Sequence, residues 1–142
     1  KRTFNAEVSD VTNKFPRIDF WEAKKILKET FNYIGEQAED FERKEEELMC
    51  KYAKDNYNSD FIFITNFPYS ARSFYVMKDD NGTTQTYDLL FKGLEITSGA
   101  QREHRHDILV KQIEEIEDKI QNIEKELKNL PTKKAEILNK YL

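Results

Sequence analysis

Leu109, Ile113, Ile116, Ile120, Ile123, Leu127 and Leu130 recur at steps of 4, 3, 4, 3, 4 and 3 residues. Such a repeat specifies an amphipathic helix with one apolar line, and that line needs a surface to cover it. Ile113, Ile120 and Leu127 take the a positions of the heptad; Leu109, Ile116, Ile123 and Leu130 take d. Pro131 interrupts the pattern, and TKKAEILNKYL resumes it with Ile137, Leu138 and Tyr141 inward. Residues 113–142 are therefore expected to form either a helical hairpin folded on itself or a dimerising coiled coil.

The preceding residues have another composition. Phe and Tyr crowd into residues 1–91 and almost vanish afterwards. A chain of 142 residues is one domain, or one small domain with an appendage, and the two compositions favour the second. A net charge of −4 argues against general attraction to nucleic-acid phosphates, although it leaves room for a local basic groove. The single cysteine, Cys50, cannot close an internal disulfide and sits in a helical pattern, so a bland, partly buried thiol in a reducing cytoplasm is expected. No apolar run approaches the ~20 residues of a membrane span, and no signal-peptide pattern opens the chain, which points to a soluble, cytoplasmic protein. Without an initiating methionine, the chain is expected to be processed, trimmed or a fragment.

The pattern of the first part is mixed. Residues 1–18 read as an irregular lead-in. Asp19 is placed to cap FWEAKKILKETFNYI, with Glu22 completing a capping-box-like start and Gly35 stopping the helix. A second helix is expected in EQAEDFERKEEELMCKYAKDNY, with ERKEEE as a solvated face. DFIFITNF (60–67) reads as a strand covered on both faces, and SFYVM (73–77) as another. KDDNG is a turn signal, TTQTYDLLFKG the returning strand, and LEITSG a third strand after Gly93. Together these predict an α+β fold, with helices packed on a small antiparallel sheet.

Chemistry-bearing residues gather in YDLLFKGLEITSGAQREHRHDIL (87–109). Asp88 and Glu95 are seven apart, which in a straight strand places them on opposite faces. Spacing alone favours two solvent-facing acids on a hairpin. If Gly93 turns or bulges the chain, the two converge and offer the oxygen ligands Mg²⁺ shares with substrate phosphates. Ser98 and Gly99 read as a turn with a close backbone approach, and Arg102 is suited to an anionic partner. Arg72 fits an ion pair or a strand-end role better than substrate binding. His104 and His106 lack the further ligands zinc needs.

The stretch FITNFPYSARSFYVMKDDNGTTQTYDLLFKGLEITSGAQREHRHDILVKQI resembles class II aminoacyl-tRNA synthetases of the aspartyl/asparaginyl subgroup, and most of all the archaeal-type aspartyl branch. KFPRIDFWEAKKIL is similar to the helix start that this family places before these strands. The likeness covers residues 15–113, the central part of the catalytic domain. It implies that Asp88 and Glu95 hold Mg²⁺ and ATP, that Ser98 helps build the metal and adenylate site, and that Arg102 grips the side-chain carboxylate of aspartate. A Gly is typical of the asparaginyl branch where Ser98 stands, which favours aspartate. The implied parent reaction is aspartyl-adenylate formation followed by tRNA charging, with Mg²⁺ as cofactor and aspartate, ATP and tRNA as partners.

Two departures qualify the likeness. The family's second motif carries an arginine on the ATP α-phosphate; only FNAE (4–7) is comparable, a chance likeness with Asn5 in the arginine's place. The Gly-rich third motif with its arginine is replaced by the heptad line. The expected organisation is a partial synthetase-like catalytic domain over 1–112 and the helical tail over 113–142. Such a chain is either a synthetase fragment not active alone or a non-catalytic, synthetase-derived binding and oligomerisation module. Its exposed sheet edges and its tail both invite a homo-oligomer or a complementing chain.

Overall fold

A computed structural model describes residues 11 and 14–141, with the backbone alone for 131–141; Asn5 and the rest of FNAE lie outside the described residues. The chain divides into two units, residues 1–102 and residues 103–142.

In the first unit the element order is β1 (Arg17–Asp19), α1 (Phe20–Phe31), α2 (Arg43–Tyr57), β2 (Phe61–Thr65), β3 (Thr86–Phe91) and β4 (Leu94–Ala100), with a short 3₁₀ turn at Tyr69–Ala71. The four strands form one sheet in chain order. It is mixed, not purely antiparallel: β1 pairs parallel to β2, and the remaining pairs are antiparallel. The lead-in thus ends in a strand, because Pro16 offers its carbonyl to the Phe63 N–H at 2.9 Å and docks Arg17–Asp19 along β2.

Asp19 caps α1 as expected, accepting the Trp21 N–H at 3.0 Å. The helix ends at Asn32, whose φ of 49° supplies the left-handed C-cap, and not at Gly35. Gly35 is required for a different reason: a Cβ there would lie 2.7 Å from the Glu45 carboxyl group. Residues 32–42 are irregular, so α2 starts at Arg43, where Glu42 and Glu45 form the capping box.

ERKEEE is therefore not uniformly solvated. Glu45 is fully buried, and Lys24 Nζ donates to both its carboxylate oxygens and to the carbonyls of Gln37 and Asp40. This knot ties α1, the 32–42 segment and α2 together and gives the buried charge its partner.

One sheet face packs Ile62, Ile64 and Leu90 against Phe20, Ala23 and Leu27 of α1 and Met49, Cys50 and Ala53 of α2. Burial pushes the Cys50 thiol above its ordinary pKa. The opposite face carries an aromatic row: Phe15 stacks on Phe61 at 4.5 Å, Phe61 on Phe91 at 4.5 Å, and Phe63 meets Tyr87 edge-on at 5.6 Å. β2 is thus apolar on both sides, but only one side is covered by helices; Phe61 and Phe63 stay half-buried.

In the second unit, α3 runs from His106 to Tyr141 as one helix. The chain does not fold back at Pro131, so of the two arrangements expected for residues 113–142, a helical hairpin or a coiled coil, the hairpin is not formed. A proline in a helix interior costs one hydrogen bond and about 3 kcal/mol, which thirty-odd other helical residues can offset. No helix among the described residues is long and apolar enough to cross a membrane.

Candidate functional site

The site is built on the β3–β4 hairpin. Lys92 and Gly93, at φ 49° and 89°, form a two-residue turn of the kind that matches strand twist, and Phe91 and Leu94 flank it. From there the register runs Leu90 opposite Glu95, then Leu89 opposite Thr97, so Ile96 is an extra residue: a β-bulge. Past the bulge, Asp88 lies opposite Ser98.

Cross-strand partners share a sheet face. Ile62, Leu90 and Glu95 therefore form one row and Ile64, Asp88 and Ser98 the next, both on the face that carries the core. The bulge at Ile96 puts Glu95 and Ser98, three apart in sequence, on the same side. Together with the turn at Gly93 it also places Asp88 and Glu95 on one face. The three residues Ser98–Ala100 are extended strand, not a turn. Gly99 is nonetheless a close approach: a Cβ there would lie 2.6 Å from the Tyr87 ring.

SFYVM forms no hairpin strand. After the 3₁₀ turn, the Val76 N–H returns to the Ser73 carbonyl at 3.0 Å, and the chain is then held beside the end of β4 by a bridge from Val76 to Arg102 and a 2.8 Å bond from Met77 N–H to the Gln101 carbonyl. The KDDNG turn is realised, with the Gly82 N–H donating to the Asp79 carbonyl at 3.0 Å and Gly82 at φ 84°. Curling 69–77 in this way brings Arg72 to the partly buried position from which it reaches Asp88.

Arg72, Tyr75, Thr86, Asp88, Ser98 and Arg102 line a hollow of about 380 Å³. Arg72 Nη2 donates to Asp88 Oδ2 at 2.8 Å while its guanidinium lies 3.8 Å over the Phe67 ring. Asp88 is buried, and burial raises its pKa to about 6 despite the Arg72 hydrogen bond and charge; the charges of Glu95 and Asp40 add to the rise. Asp88 Oδ1 and Arg72 Nε are buried without a hydrogen-bond partner among the described residues. Arg102 is exposed, with its guanidinium 5.0 Å over Tyr75.

Of the four residues singled out in the sequence, Asp88, Ser98 and Arg102 share this hollow. Glu95 does not line it: its side chain is exposed, and its N–H is held by Glu46 Oε2 at 3.2 Å. Arg72 was expected in an ion pair, and its partner is the candidate metal ligand itself. Tyr75 was not singled out; the R-x-F-Y segment 72–75 was the available signal.

The donor set suits a hard cation. Asp88 Oδ1 is a buried carboxylate oxygen without a hydrogen-bond donor among the described residues, and Glu95 stands on the same face. No cluster of three or more His, Cys, Asp or Glu residues able to enclose a metal occurs among the described residues. Mg²⁺ does not need one, since it commonly takes one or two carboxylates and completes its shell with water and substrate phosphate.

Residues 1–134 match the family described as tRNA synthetases class II (D, K and N). The chain is 46% identical over 99 residues to aspartate–tRNA(Asp/Asn) ligase of Thermus thermophilus, covering 69% of this chain and 23% of that protein. It is 39% identical over 116 residues to aspartate–tRNA(Asp) ligase of Pyrococcus horikoshii, covering 80% and 26%. Among solved structures, aspartyl-tRNA synthetase from Entamoeba histolytica superposes with a TM-score of 0.68 at 33% identity, over 77% of this chain and 23% of that one. Asparaginyl-tRNA synthetase from Pyrococcus horikoshii complexed with asparaginyl-adenylate gives 0.60 at 27% identity, over 72% and 23%. The chain spans about a quarter of the length of the curated relatives it matches.

Proposed function

The chain belongs to the class II tRNA synthetases of the D, K and N group, and from that premise we propose that it forms the aspartate- and Mg²⁺·ATP-facing wall of an aspartate–tRNA ligase catalytic domain, unable to complete the reaction alone. The observation that carries this reading is the single hollow in which Asp88, Ser98 and Arg102 meet.

Arg102 supplies an exposed planar guanidinium, suited to bidentate recognition of the aspartate side-chain carboxylate. Tyr75 holds that guanidinium by its ring face and limits its swing. Asp88, with Glu95 and the Ser98 hydroxyl, would hold Mg²⁺, which when bound neutralises phosphate charge as a carboxylate attacks the α-phosphorus. Arg72 keeps Asp88 oriented along β3 and balances its charge. Adenylate formation also needs cationic groups on the α- and γ-phosphates, and no counterpart of the family's motif 2 and motif 3 arginines is recognisable in this sequence.

Aspartate-dependent ATP–pyrophosphate exchange by this polypeptide is therefore expected at background. A non-hydrolysable aspartyl-adenylate analogue should still bind, and more tightly than its asparaginyl counterpart. Exchange above background would contradict the incompleteness of the site; equal binding of the two analogues would contradict the aspartate assignment. A second reading, a synthetase-derived module used for binding and oligomerisation, draws on the separate helical unit of residues 103–142. It is favoured if neither analogue binds while the chain self-associates.

A further inference from the structure

The helical unit leaves its apolar line uncovered: Ile120, Ile123, Leu127 and Leu130 are between 50% and 57% exposed. An aliphatic line of this length in water lacks the partner that makes a heptad repeat favourable. Three features of α3 specify what covers it.

The first is shape. Ile123, Glu126, Leu127 and Leu130 enclose one hollow on the helix surface. These are d, g, a and d positions, a set of four residues that surrounds an inserted side chain in knobs-into-holes packing.

The second is charge. In a parallel assembly, a g residue of one helix meets the e residue of the following heptad on its neighbour. That sets Lys119 against Glu124, an attractive pair; Gln112, at the preceding g position, is already buried in the single chain. No like-charged g–e pair arises within 109–130. An antiparallel arrangement instead sets e against e, and two of the three e residues there, Glu117 and Glu124, are acidic, the third being Val110.

The third is side-chain branching. Ile occupies a at 113 and 120 and d at 116 and 123. Ile at a with Leu at d favours two strands, whereas Ile at both positions shifts the preference to higher orders. Leu109 and Leu130 confine the d-position leucines to the two ends of the line.

We propose that α3 associates with two further copies of this chain as a parallel three-stranded coiled coil. The inference stands independently of whether the hollow at Asp88 binds aspartate. Assembly would gather three copies of the first unit on one stem.

Sedimentation equilibrium of the full chain tests it. The native protein should sediment at three times its 16.9-kDa mass, and the Ile116→Asp/Ile123→Asp variant at one. Lys119→Glu should weaken association about tenfold, and adding Glu124→Lys should restore it, because the reversed charges face each other again. These exposed charge changes leave the helix former content of α3 nearly unaltered, so a folding failure of the double aspartate variant does not remove the test. A native monomer at millimolar concentration, or a mass indifferent to the aspartates, would overturn the assembly. A dimer or tetramer would overturn the strand number, and absence of charge-swap rescue the parallel orientation.

Discussion

The two units of this chain bury apolar surface in opposite ways. The first seals Phe20, Phe67, Leu27, Met49, Ile62 and Ile64 inside a small sheet-and-helix core. The second exposes a longer apolar line along α3, with no buried apolar residue among those described. The first unit draws stability from contacts within one chain, and its polar hollow sits at the rim of that core. The second leaves its apolar line in solvent, so under the proposed assembly concentration should affect that unit and not the first.

The largest expected contrast is a core truncation. Phe20→Ala removes a fully buried ring packed against Trp21, Phe41 and Phe67 and should destabilise the first unit by about 3–5 kcal/mol, followed by Trp21 fluorescence in denaturant. Ile120→Ala in the exposed line should leave that transition in place at high dilution; matched losses would mean the units share one cooperative core. Next, Lys24→Met strands the buried Glu45 carboxylate and should cost about 3 kcal/mol, whereas exposed pairs such as Lys51–Asp55 contribute roughly 0.5 kcal/mol. Equal effects would place the Glu45 knot outside the stability of the fold. Smaller again, Gly99→Ala sets a methyl group against the Tyr87 ring; Tyr87 is partly exposed and can yield, so a loss of about 1–2 kcal/mol is expected from chemical unfolding.

The smallest effect is a pH slope. Asp88 titrates near 6 in the folded chain against 3.8 ordinarily, so the folded state holds the extra proton between those values. That contribution to stability is fully present below pH 3.8 and is lost as pH rises through about 6. Asp88→Asn should flatten this part of the stability–pH curve. Arg72→Ala, which removes the influences that lower the Asp88 pKa, should move the Asp88 titration to higher pH by carboxyl NMR. An unchanged midpoint would separate the two residues energetically.

How much of this was legible beforehand depended on sequence distance. The Asp19 cap, the KDDNG turn and the β3–β4 hairpin are local, and short-range residue chemistry points to them directly. β1 was not legible, because three residues earn strand pairing only from Phe63–Thr65, more than forty positions away. Glu45 looked like one of a run of surface acids, and only Lys24, on another helix, makes its burial tolerable. Asn32 and Gly35 could each take a left-handed cap, and the Glu45 contact decides which position needs glycine for space. At the site, the residue types in 88–102 were informative, but the bulge at Ile96 and the inward turn of Arg72 come from tertiary pairing. The family likeness added roles that spacing alone left open.

Calorimetric titration with the non-hydrolysable aspartyl-adenylate analogue tests the central claim most directly, comparing the native chain with Arg102→Ala. Arg102 is exposed and contributes little to the core, so the variant should fold normally. Losing a charge-assisted bidentate contact should weaken binding by roughly 1.5–3 kcal/mol, about tenfold or more. Binding by the native chain with that loss is the predicted result. No binding by the native chain, or equal binding by both proteins, would contradict the assignment of this hollow as the aspartate-facing wall.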